Sequence, residues 1–159
     1  LLDISLPDRN GIEILKQIKK DKPILAVLML SMHNEHEFAI RALKAGAAGY
    51  LNKQSAPAQL VVAIRQVAAG DKYVSPAVAQ ELANTINTDA DKPLYTTLSD
   101  REYQTLCLIA AGKTLSEISA EMFLSPKTVS VYRARLLEKL KLTNNSELIR
   151  YAIKNKLVD

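Results

Sequence analysis

Apolar positions change their spacing along this chain, and the change predicts two kinds of structure. The first part alternates short apolar runs with segments whose apolar residues recur every three or four positions, which is typical of strands alternating with amphipathic helices. The predicted strands cover 1–4, 24–30 and 49–52, and the predicted helices cover 11–20, 35–45 and 56–69. Alternation of this kind favours an α/β unit built on a parallel sheet.

The second part carries helix-start signals in place of strand signals. Two capping boxes and a serine-proline start follow one another, at Ser99 with Glu102, Thr114 with Glu117, and Ser125 before Pro126. A hydroxyl with a carboxylate three positions later satisfies two main-chain N–H groups of a helix start, and proline at the first helical position has no N–H to leave unbonded. The resulting short helix, tight turn and longer helix predict a helix-turn-helix.

The longer helix, over 126–141, is one-sidedly apolar and locally basic. Val129, Leu136 and Leu140 share one face at helical spacing. Five basic residues against one acidic residue give this segment a net charge of +4, which equals the formal charge of the whole chain. Small side chains framed by cations suit a DNA major groove, so we predict DNA binding, with a solvated helix or a protein-only contact as the alternative.

Polar side chains also follow each predicted strand of the first part. Asp3, Ser31 and Lys53 each end or follow a separate strand. Because ligands gather at the carboxyl ends of parallel strands, we expect the three to meet at one edge. A carboxylate, a hydroxyl and an ammonium suit phosphoryl chemistry, with Asp3 as the nucleophile. Taken singly, they are also explained as a turn residue, a helix cap and a solvated lysine.

A set of motif residues spans the second part, namely Leu98, Ser99, Arg101, Glu102, Gly112, Glu117-Ile118, Leu124-Ser125, Thr128-Val129 and Lys139-Leu140. This set resembles the LuxR-type DNA-binding domain, a four-helix, all-α unit, and departs from it at Leu115 and Ser119. The resemblance implies base reading by Ser130, Val131 and Ala134. It implies contacts to the DNA backbone by Lys127, Thr128, Arg133, Arg135 and Lys139.

The last predicted helix, at about 145–155, resembles the helix through which such domains pair. Its predicted dimerisation stripe is Leu148, Tyr151 and Ala152. Packing inside the domain is the open alternative for this stripe.

The first part carries D-I-S-L-P at 3–7, Gly11, LSMH at 30–33 and ALKAGAAGYLNK at 42–53. These motifs resemble the second half of a response-regulator receiver, and the whole chain resembles a NarL/FixJ-class two-component regulator. The resemblance implies Asp3 as phosphoacceptor, with Ser31, Tyr50 and Lys53 as the phosphoryl switch. It also implies a Mg²⁺ contact by Asp3 and the Ser5 carbonyl.

The family's receiver is a flavodoxin-like, doubly wound fold, and we expect an incomplete one here. The two βα units and the acidic pair that precede the phosphoacceptor in the family have no counterpart in this sequence. Apolar edges and faces of the sheet are therefore expected to be uncovered. We expect a receiver portion over 1–70, a linker over 71–97 with a helix at 76–86, and a DNA-binding domain over 98–159.

The two modules together predict a transcriptional regulator in which aspartyl phosphorylation releases and dimerises the helix-turn-helix. The expected partners are double-stranded DNA, a sensor histidine kinase, a second copy of the chain and RNA polymerase. A regulator that works without phosphorylation is the alternative. A phosphohydrolase using Asp3 is disfavoured, and the chain is predicted not to be an enzyme, because Ser5 occupies the place of the usual second carboxylate. The single cysteine, Cys107, and the lack of a membrane-length apolar run favour a cytoplasmic location without membrane contact.

Overall fold

The computed structural model describes residues 1–6, 9–32, 35–55, 57–87 and 93–158. The chain divides into two compact units, Leu1–Asp89 and Ala90–Asp159. The described elements of the first unit are, in chain order, β1 (Leu2–Asp3), α1 (Gly11–Asp21), β2 (Leu28–Ser31), α2 (Glu35–Lys44), β3 (Gly49–Asn52), α3 (Pro57–Ala68) and α4 (Pro76–Asn87). Strands alternate with helices, which confirms the predicted α/β class.

Parallel pairing brings the strands together in chain order. Among the described residues the sheet has the order β1-β2-β3, and both pairings are parallel. Asp3 lies opposite Leu30, and Ser31 lies opposite Asn52. Because parallel strands run in the same direction, the carboxyl ends at Asp3, Ser31 and Asn52 lie at one edge of the sheet.

Both faces of the sheet are covered at its centre. Leu28 and Leu51 pack with Ala63 and Val67 of α3 on one face. Side chains alternate along a strand, so Met29 points to the other face, and it is fully buried there. α1 lies against β1, and α2 lies against β3. The first unit is therefore a parallel sheet layered with helices.

The second strand begins later than the apolar run predicts. The run covers 24–30, but β2 begins at Leu28, and Ile24 is 98% exposed. The carbonyls of Pro23 and Leu25 accept hydrogen bonds from the Lys19 ammonium at 2.9 and 2.7 Å. A side chain, not a neighbouring strand, therefore satisfies this part of the main chain, and hydrophobicity alone does not reveal that.

Residues 71–87 differ from the expected linker. The Tyr73 N–H donates to the Ala48 carbonyl at 2.9 Å, and the Tyr73 carbonyl accepts from the Tyr50 N–H at 3.2 Å, so Tyr73 pairs beside β3. The helix predicted at 76–86 is present as α4, which packs against α2 inside the first unit. Residues 88–92 of the predicted linker lie outside the described residues.

The described part of the second unit is helical. A 3₁₀ helix at Leu94–Thr97 precedes α5 (Asp100–Ala110), α6 (Leu115–Glu121), α7 (Pro126–Leu140) and α8 (Asn145–Lys154). α5 is buried from Asp100 to Ile109 and packs against α6, α7 and α8. The tight connection between α6 and α7 confirms the helix-turn-helix. Within the described ranges, no helix combines the length and the apolar character that crossing a bilayer requires.

Candidate phosphorylation site and nucleic-acid interface

The carboxyl edge of the sheet brings Asp3, Ser31 and Lys53 together. The Lys53 ammonium forms an ion pair with Oδ2 of Asp3. The main-chain N–H of Lys53 donates to the Ser31 carbonyl at 2.8 Å. Residues up to 50 positions apart in sequence thus share one site. Pro7 and His33, which belong to the same motifs, lie outside the described residues.

The Asp3 carboxylate is held from two sides and is still reachable. Its Oδ1 accepts a hydrogen bond from the Ser5 N–H at 3.0 Å, and its Oδ2 faces Lys53. The Asp3 side chain is 24% exposed, whereas Ser31 is fully buried. A partly exposed carboxylate beside an ammonium is chemically suited to attack phosphorus, because the cation offsets the negative charge that builds up.

Asn10 and Gly11 set the start of α1 and its close approach to the end of β1. Asn10 is fully buried and caps α1, its side-chain oxygen accepting from the Ile12 N–H at 2.8 Å. The Gly11 N–H donates to the Ile4 carbonyl at 2.8 Å. A Cβ on Gly11 would lie 2.0 Å from the main-chain oxygen of Asp3. Only glycine permits this approach, which sets the main chain that carries the carboxylate.

Tyr50 lies in β3 with 3% of its surface exposed. The predicted switch aromatic is therefore a buried residue of the first unit. Its main chain is bonded to Tyr73, so its position is tied to the segment that follows α3.

The oxygen donors at this edge only partly meet the needs of magnesium. Mg²⁺ takes about six oxygen ligands and often keeps several waters. The Asp3 carboxylate and the Ser5 carbonyl would supply two of them. Among the described residues there is no cluster of three or more acidic, histidine or cysteine side chains placed to bind a metal. The residues described here do not complete a magnesium site.

The helix-turn-helix begins with the predicted caps. The Ser99 N–H donates to Oε2 of Glu102 at 2.8 Å, and the Glu102 N–H donates back to the Ser99 hydroxyl at 3.3 Å. Thr114 and Glu117 form the same reciprocal pair at 2.7 and 3.3 Å. Ser125 caps α7 through its hydroxyl. Both capping boxes and the serine-proline start are thus confirmed.

α7 turns an apolar face inward and a small-residue face outward. Val129 and Leu136 are fully buried, and Leu140 is 3% exposed. The exposed residues include the predicted base-reading side chains Ser130, Val131 and Ala134 and the cations Lys127 and Arg135. An outward face of small side chains bordered by cations can enter a major groove and reach phosphates.

Two cations predicted to contact the DNA backbone have partners inside the protein. The Lys139 ammonium lies 2.7 Å from Oε2 of Glu102. The Nε of Arg133 donates to Oδ1 of Asn145, at the start of α8, at 2.6 Å. Arg133 thus has a hydrogen-bond partner on the next helix.

Glu102 joins the start of α5 to the end of α7. Its side chain is 3% exposed, and its Oε2 accepts from both the Ser99 N–H and the Lys139 ammonium. Burial raises the pKa of the Glu102 carboxyl, but the hydrogen bonds from Lys139 and Ser99 outweigh burial and bring that pKa below its usual value. The Glu102 carboxyl is therefore ionised at neutral pH.

The structure places most of the predicted dimerisation stripe inside the domain. Leu148 and Ala152 are fully buried where α8 packs against α5, so their side chains have no surface left for a second copy. The Tyr151 hydroxyl accepts a hydrogen bond from the Tyr95 N–H at 3.2 Å. Burial raises the pKa of the Tyr151 phenol, against the opposing effect of that hydrogen bond. Ile153, in contrast, is 56% exposed.

The contacts that sequence reasoning missed join distant positions. They are Glu102 with Lys139, Arg133 with Asn145 and Tyr95 with Tyr151, which are 37, 12 and 56 positions apart. No local pattern marks such pairs. Asn10 was also missed, although an asparagine directly before a helical pattern is a recognised start signal.

Comparison with protein families divides the chain in the same way. Residues 1–65 match the response regulator receiver domain, and residues 96–152 match the luxR family of bacterial regulatory proteins.

Similar proteins carry both parts. Response regulator UvrY of Escherichia coli K12 is 37% identical over 158 residues, which cover 99% of this chain and 72% of that protein. Response regulator GacA of Pseudomonas aeruginosa PAO1 is 37% identical over 160 residues, covering 100% and 75%. The structure of RcsB from Salmonella enterica serovar Typhimurium, bound to promoter rprA with phosphomimetic BeF3-, aligns with a TM-score of 0.53 at 27% identity, covering 94% and 71%.

Proposed function

Because this chain belongs to the two-component response regulators with a LuxR-family DNA-binding domain, we propose that phosphorylation of Asp3 controls its dimerisation and its binding to double-stranded DNA. The observation that carries this proposal is the convergence of Asp3, Ser31 and Lys53 at one sheet edge, in the same chain as an outward-facing recognition helix. The phosphodonor would be a sensor histidine kinase, and the protein would act in the cytoplasm, where its DNA is.

The phosphoryl step uses groups that already touch. A carboxylate oxygen of Asp3 attacks the donor's phosphorus, the donor's P–N bond breaks, and an acyl phosphate forms. The acyl phosphate carries a charge of roughly −2 where the carboxylate carried a single negative charge, and it lies beside Lys53, whose ammonium is already paired with the carboxylate. The Ser31 hydroxyl donates to a phosphoryl oxygen. Mg²⁺, held in part by Asp3 and the Ser5 carbonyl, would neutralise further phosphoryl charge when bound.

The switch would couple the site to the surface of the first unit. Movement of Ser31 toward the phosphoryl group changes the packing at the end of β2, and the buried Tyr50 lies on the neighbouring strand β3. We infer that Tyr50 reorients in response. Its main-chain bond to Tyr73 gives this movement a path to the segment before α4.

DNA reading would belong to the outward face of α7. Ser130, Val131 and Ala134 are exposed, and Val131 offers an apolar contact of the kind that recognises a thymine methyl group. Lys127 and Arg135 would contact phosphates, as would Thr128, whose hydroxyl lies 2.9 Å from that of Ser125. The RcsB complex with promoter rprA supports DNA binding by a related chain.

Dimerisation would use the exposed side of α8. Ile149 and Ile153 are four positions apart and therefore lie on the same side of the helix, and Ile153 is 56% exposed. Two copies reading two half-sites multiply the discrimination that one small domain achieves alone. Contact of the dimer with RNA polymerase stays a prediction.

The first experiment tests Asp3. The chain is incubated with radiolabelled acetyl phosphate and Mg²⁺, and incorporated label is measured for the wild type, for Asp3→Asn and for the exposed-aspartate control Asp71→Asn. We expect label in the wild type and in Asp71→Asn, removable by hydroxylamine because an acyl phosphate is labile, and no label in Asp3→Asn. Equal labelling of Asp3→Asn would remove Asp3 from the scheme.

The same assay separates the alternatives. Continuous release of phosphate from a small phosphomonoester would point to a phosphohydrolase instead. That outcome is not expected, because Ser5 stands in place of a second carboxylate and donates its N–H to Asp3.

The second experiment tests DNA binding and its control. The chain selects a duplex from a randomised library, and affinity for that duplex and for a scrambled one is measured with and without acetyl phosphate. We expect preference for the selected duplex, a steep decrease with salt, and tighter binding with the phosphodonor. Selective binding that ignores the phosphodonor would favour a phosphorylation-independent regulator, and no binding to any duplex would reject DNA recognition.

A further inference from the structure

We propose that Lys139 positions the recognition helix through Glu102 and does not contact DNA phosphate. The ion pair clamps the last turn of α7 to the first turn of α5. This inference rests on the proposed DNA-binding function and assigns one of its residues a different role.

The geometry supports a clamp. The ammonium of Lys139 lies 2.7 Å from Oε2 of Glu102, whose side chain is 3% exposed. The same oxygen accepts the Ser99 N–H at 2.8 Å, so the carboxylate is held by the capping box of α5. α5 is buried along most of its length and packs against α6, α7 and α8. Lys139 therefore grips the central helix of the domain.

Moving Lys139 to a phosphate would undo this arrangement. Glu102 would keep its negative charge in a buried position without its cation, and removing one partner of a buried pair is strongly destabilising. A new contact between an exposed lysine and phosphate would be screened by salt, whereas the partly buried pair with Glu102 is screened much less. The Lys139 side chain is 40% exposed, but its charged end is already engaged.

The ion pair predicts that the cations of α7 have different roles. Lys127 is exposed near the amino end of the helix and would contact phosphate, whereas Lys139 would not. Each phosphate contact contributes about 0.9 to the slope of log affinity against log salt. The slope therefore distinguishes a contacting lysine from a positioning one.

The test compares matched variants of the full chain on the library-selected and scrambled duplexes. Lys127→Met and Lys139→Met each remove one charge and keep an apolar stem. We expect Lys127→Met to make the slope of log affinity against log salt less steep by about 0.9. We expect Lys139→Met to leave the slope unchanged, while its affinity decreases several-fold more for the selected duplex than for the scrambled one.

Glu102→Gln removes the other member of the ion pair and therefore tests the proposal from the opposite side. Glutamine still accepts the Ser99 N–H, and the variant loses no positive charge. If the ion pair positions the helix, Glu102→Gln loses affinity selectively for the selected duplex, as Lys139→Met does. The double variant then binds no more weakly than the single variant that binds more weakly. A slope lowered by about 0.9 in Lys139→Met, or tighter binding by Glu102→Gln through a released lysine, would overturn the proposal.

A measurement on the wild type avoids any effect of the variants on folding. Lysines are acetylated with acetic anhydride, with and without duplex, and the rates are read by mass spectrometry. The clamp predicts that Lys139 reacts slowly in both states and that DNA protects Lys127. Protection of Lys139 by DNA would contradict the clamp. If the wild type binds no duplex, the proposed function fails, while slow reaction of Lys139 in the free chain still supports the ion pair and fast reaction rejects it.

Discussion

The two units of this chain differ in where their stability comes from. In the second unit, the described helices α5 to α8 each begin at a side-chain cap, at Ser99, Thr114, Ser125 and Asn144. Each cap contributes about 1 kcal/mol and depends on residues at most three positions apart. The helix starts of this unit are therefore specified locally.

The helix ends of the second unit are also local. Each of the helices α5 to α8 is followed by a residue in the left-handed region, and the next N–H bonds to a carbonyl five positions back. The left-handed residues are Gly112, Phe123, Lys141 and Lys156, and the bonds are from Lys113 to Leu108, Leu124 to Ser119, Leu142 to Leu137 and Leu157 to Ala152. This hydrogen-bond pattern closes a helix without help from other elements.

In the first unit α2 and α3 end in the same local way, at Gly46 and Gly70, but the sheet depends on strands and helices that are distant in sequence. α3 buries Ala63 and Val67 on the sheet, yet Val61, Val62 and Ile64 on the same helix are 48%, 55% and 41% exposed. The sequence predicts uncovered apolar edges and faces of the sheet, but the faces are covered at the centre of the sheet, and these exposed apolar side chains lie on α3. The first unit thus leaves apolar surface in water on a helix, whereas the helical unit surrounds its central helix. We expect the second unit to be the more stable of the two.

The largest expected effect tests which side of α8 is core. Leu148→Ala should lower the free energy of unfolding by about 2–5 kcal/mol, because it leaves a cavity against α5. Ile153→Ala should change that free energy by less than about 0.5 kcal/mol, because its side chain is exposed. Urea unfolding followed by circular dichroism measures both, with hydrogen exchange to assign the unit. Equal costs would refute the placement of Leu148 in the interior.

The next effect concerns close packing at the phosphorylation site. Gly11→Ala should cost about 1–3 kcal/mol in the first unit, because the added Cβ would meet the Asp3 carbonyl and force the main chain apart. Gly11→Ala should also reduce the labelling of Asp3 by acetyl phosphate. The control is Gly112→Ala, where a Cβ meets nothing within 4 Å and only the positive φ of 82° is unfavourable. Its cost should be about 1 kcal/mol, confined to the second unit.

A smaller effect is expected from acid. The pKa of Glu102 is lower in the folded chain than in the unfolded chain, so its stabilisation is complete above the ordinary glutamate pKa and is lost as pH falls through the lowered one. The urea midpoint of the second unit should therefore decrease as the pH falls below about 4.5. Glu102→Gln should flatten this part of the profile more than Glu117→Gln does, because Glu117 is exposed to solvent. Identical profiles for Glu102→Gln and the wild type would count against the ion pair.

The smallest effect tests the local helix ends. Lys156 closes α8 with a φ of 54°, where glycine is favoured. Lys156→Gly should raise the free energy of unfolding by a few tenths of a kcal/mol, since the relief of strain is partly offset by the greater freedom of glycine in the unfolded chain. Thermal unfolding in a matched buffer resolves the shift, and a decrease in stability would mean that the lysine side chain contributes more than the backbone costs.

Features that depend on neighbouring residues could be predicted from the sequence, and features that depend on distant contacts mostly could not. The capping boxes, the inward face of α7 and the outward position of Ser130 and Val131 were all predictable, because helical periodicity and capping need only neighbouring residues. The meeting of Asp3, Ser31 and Lys53 was also predictable, since parallel strands align their carboxyl ends. The start of β2 was not, because Lys19 bonds the carbonyls that a strand would have used.

Tertiary structure alone decided the roles of several polar and apolar side chains. Lys139 and Arg133 were expected to contact the DNA backbone, and folding brings each to a partner inside the domain that is 37 or 12 positions away. Leu148 was expected at a dimer surface, but α5 covers it. The reason is physical. A stripe on a helix specifies which residues share a face, whereas only the packed domain decides whether that face meets another helix, a second copy or DNA.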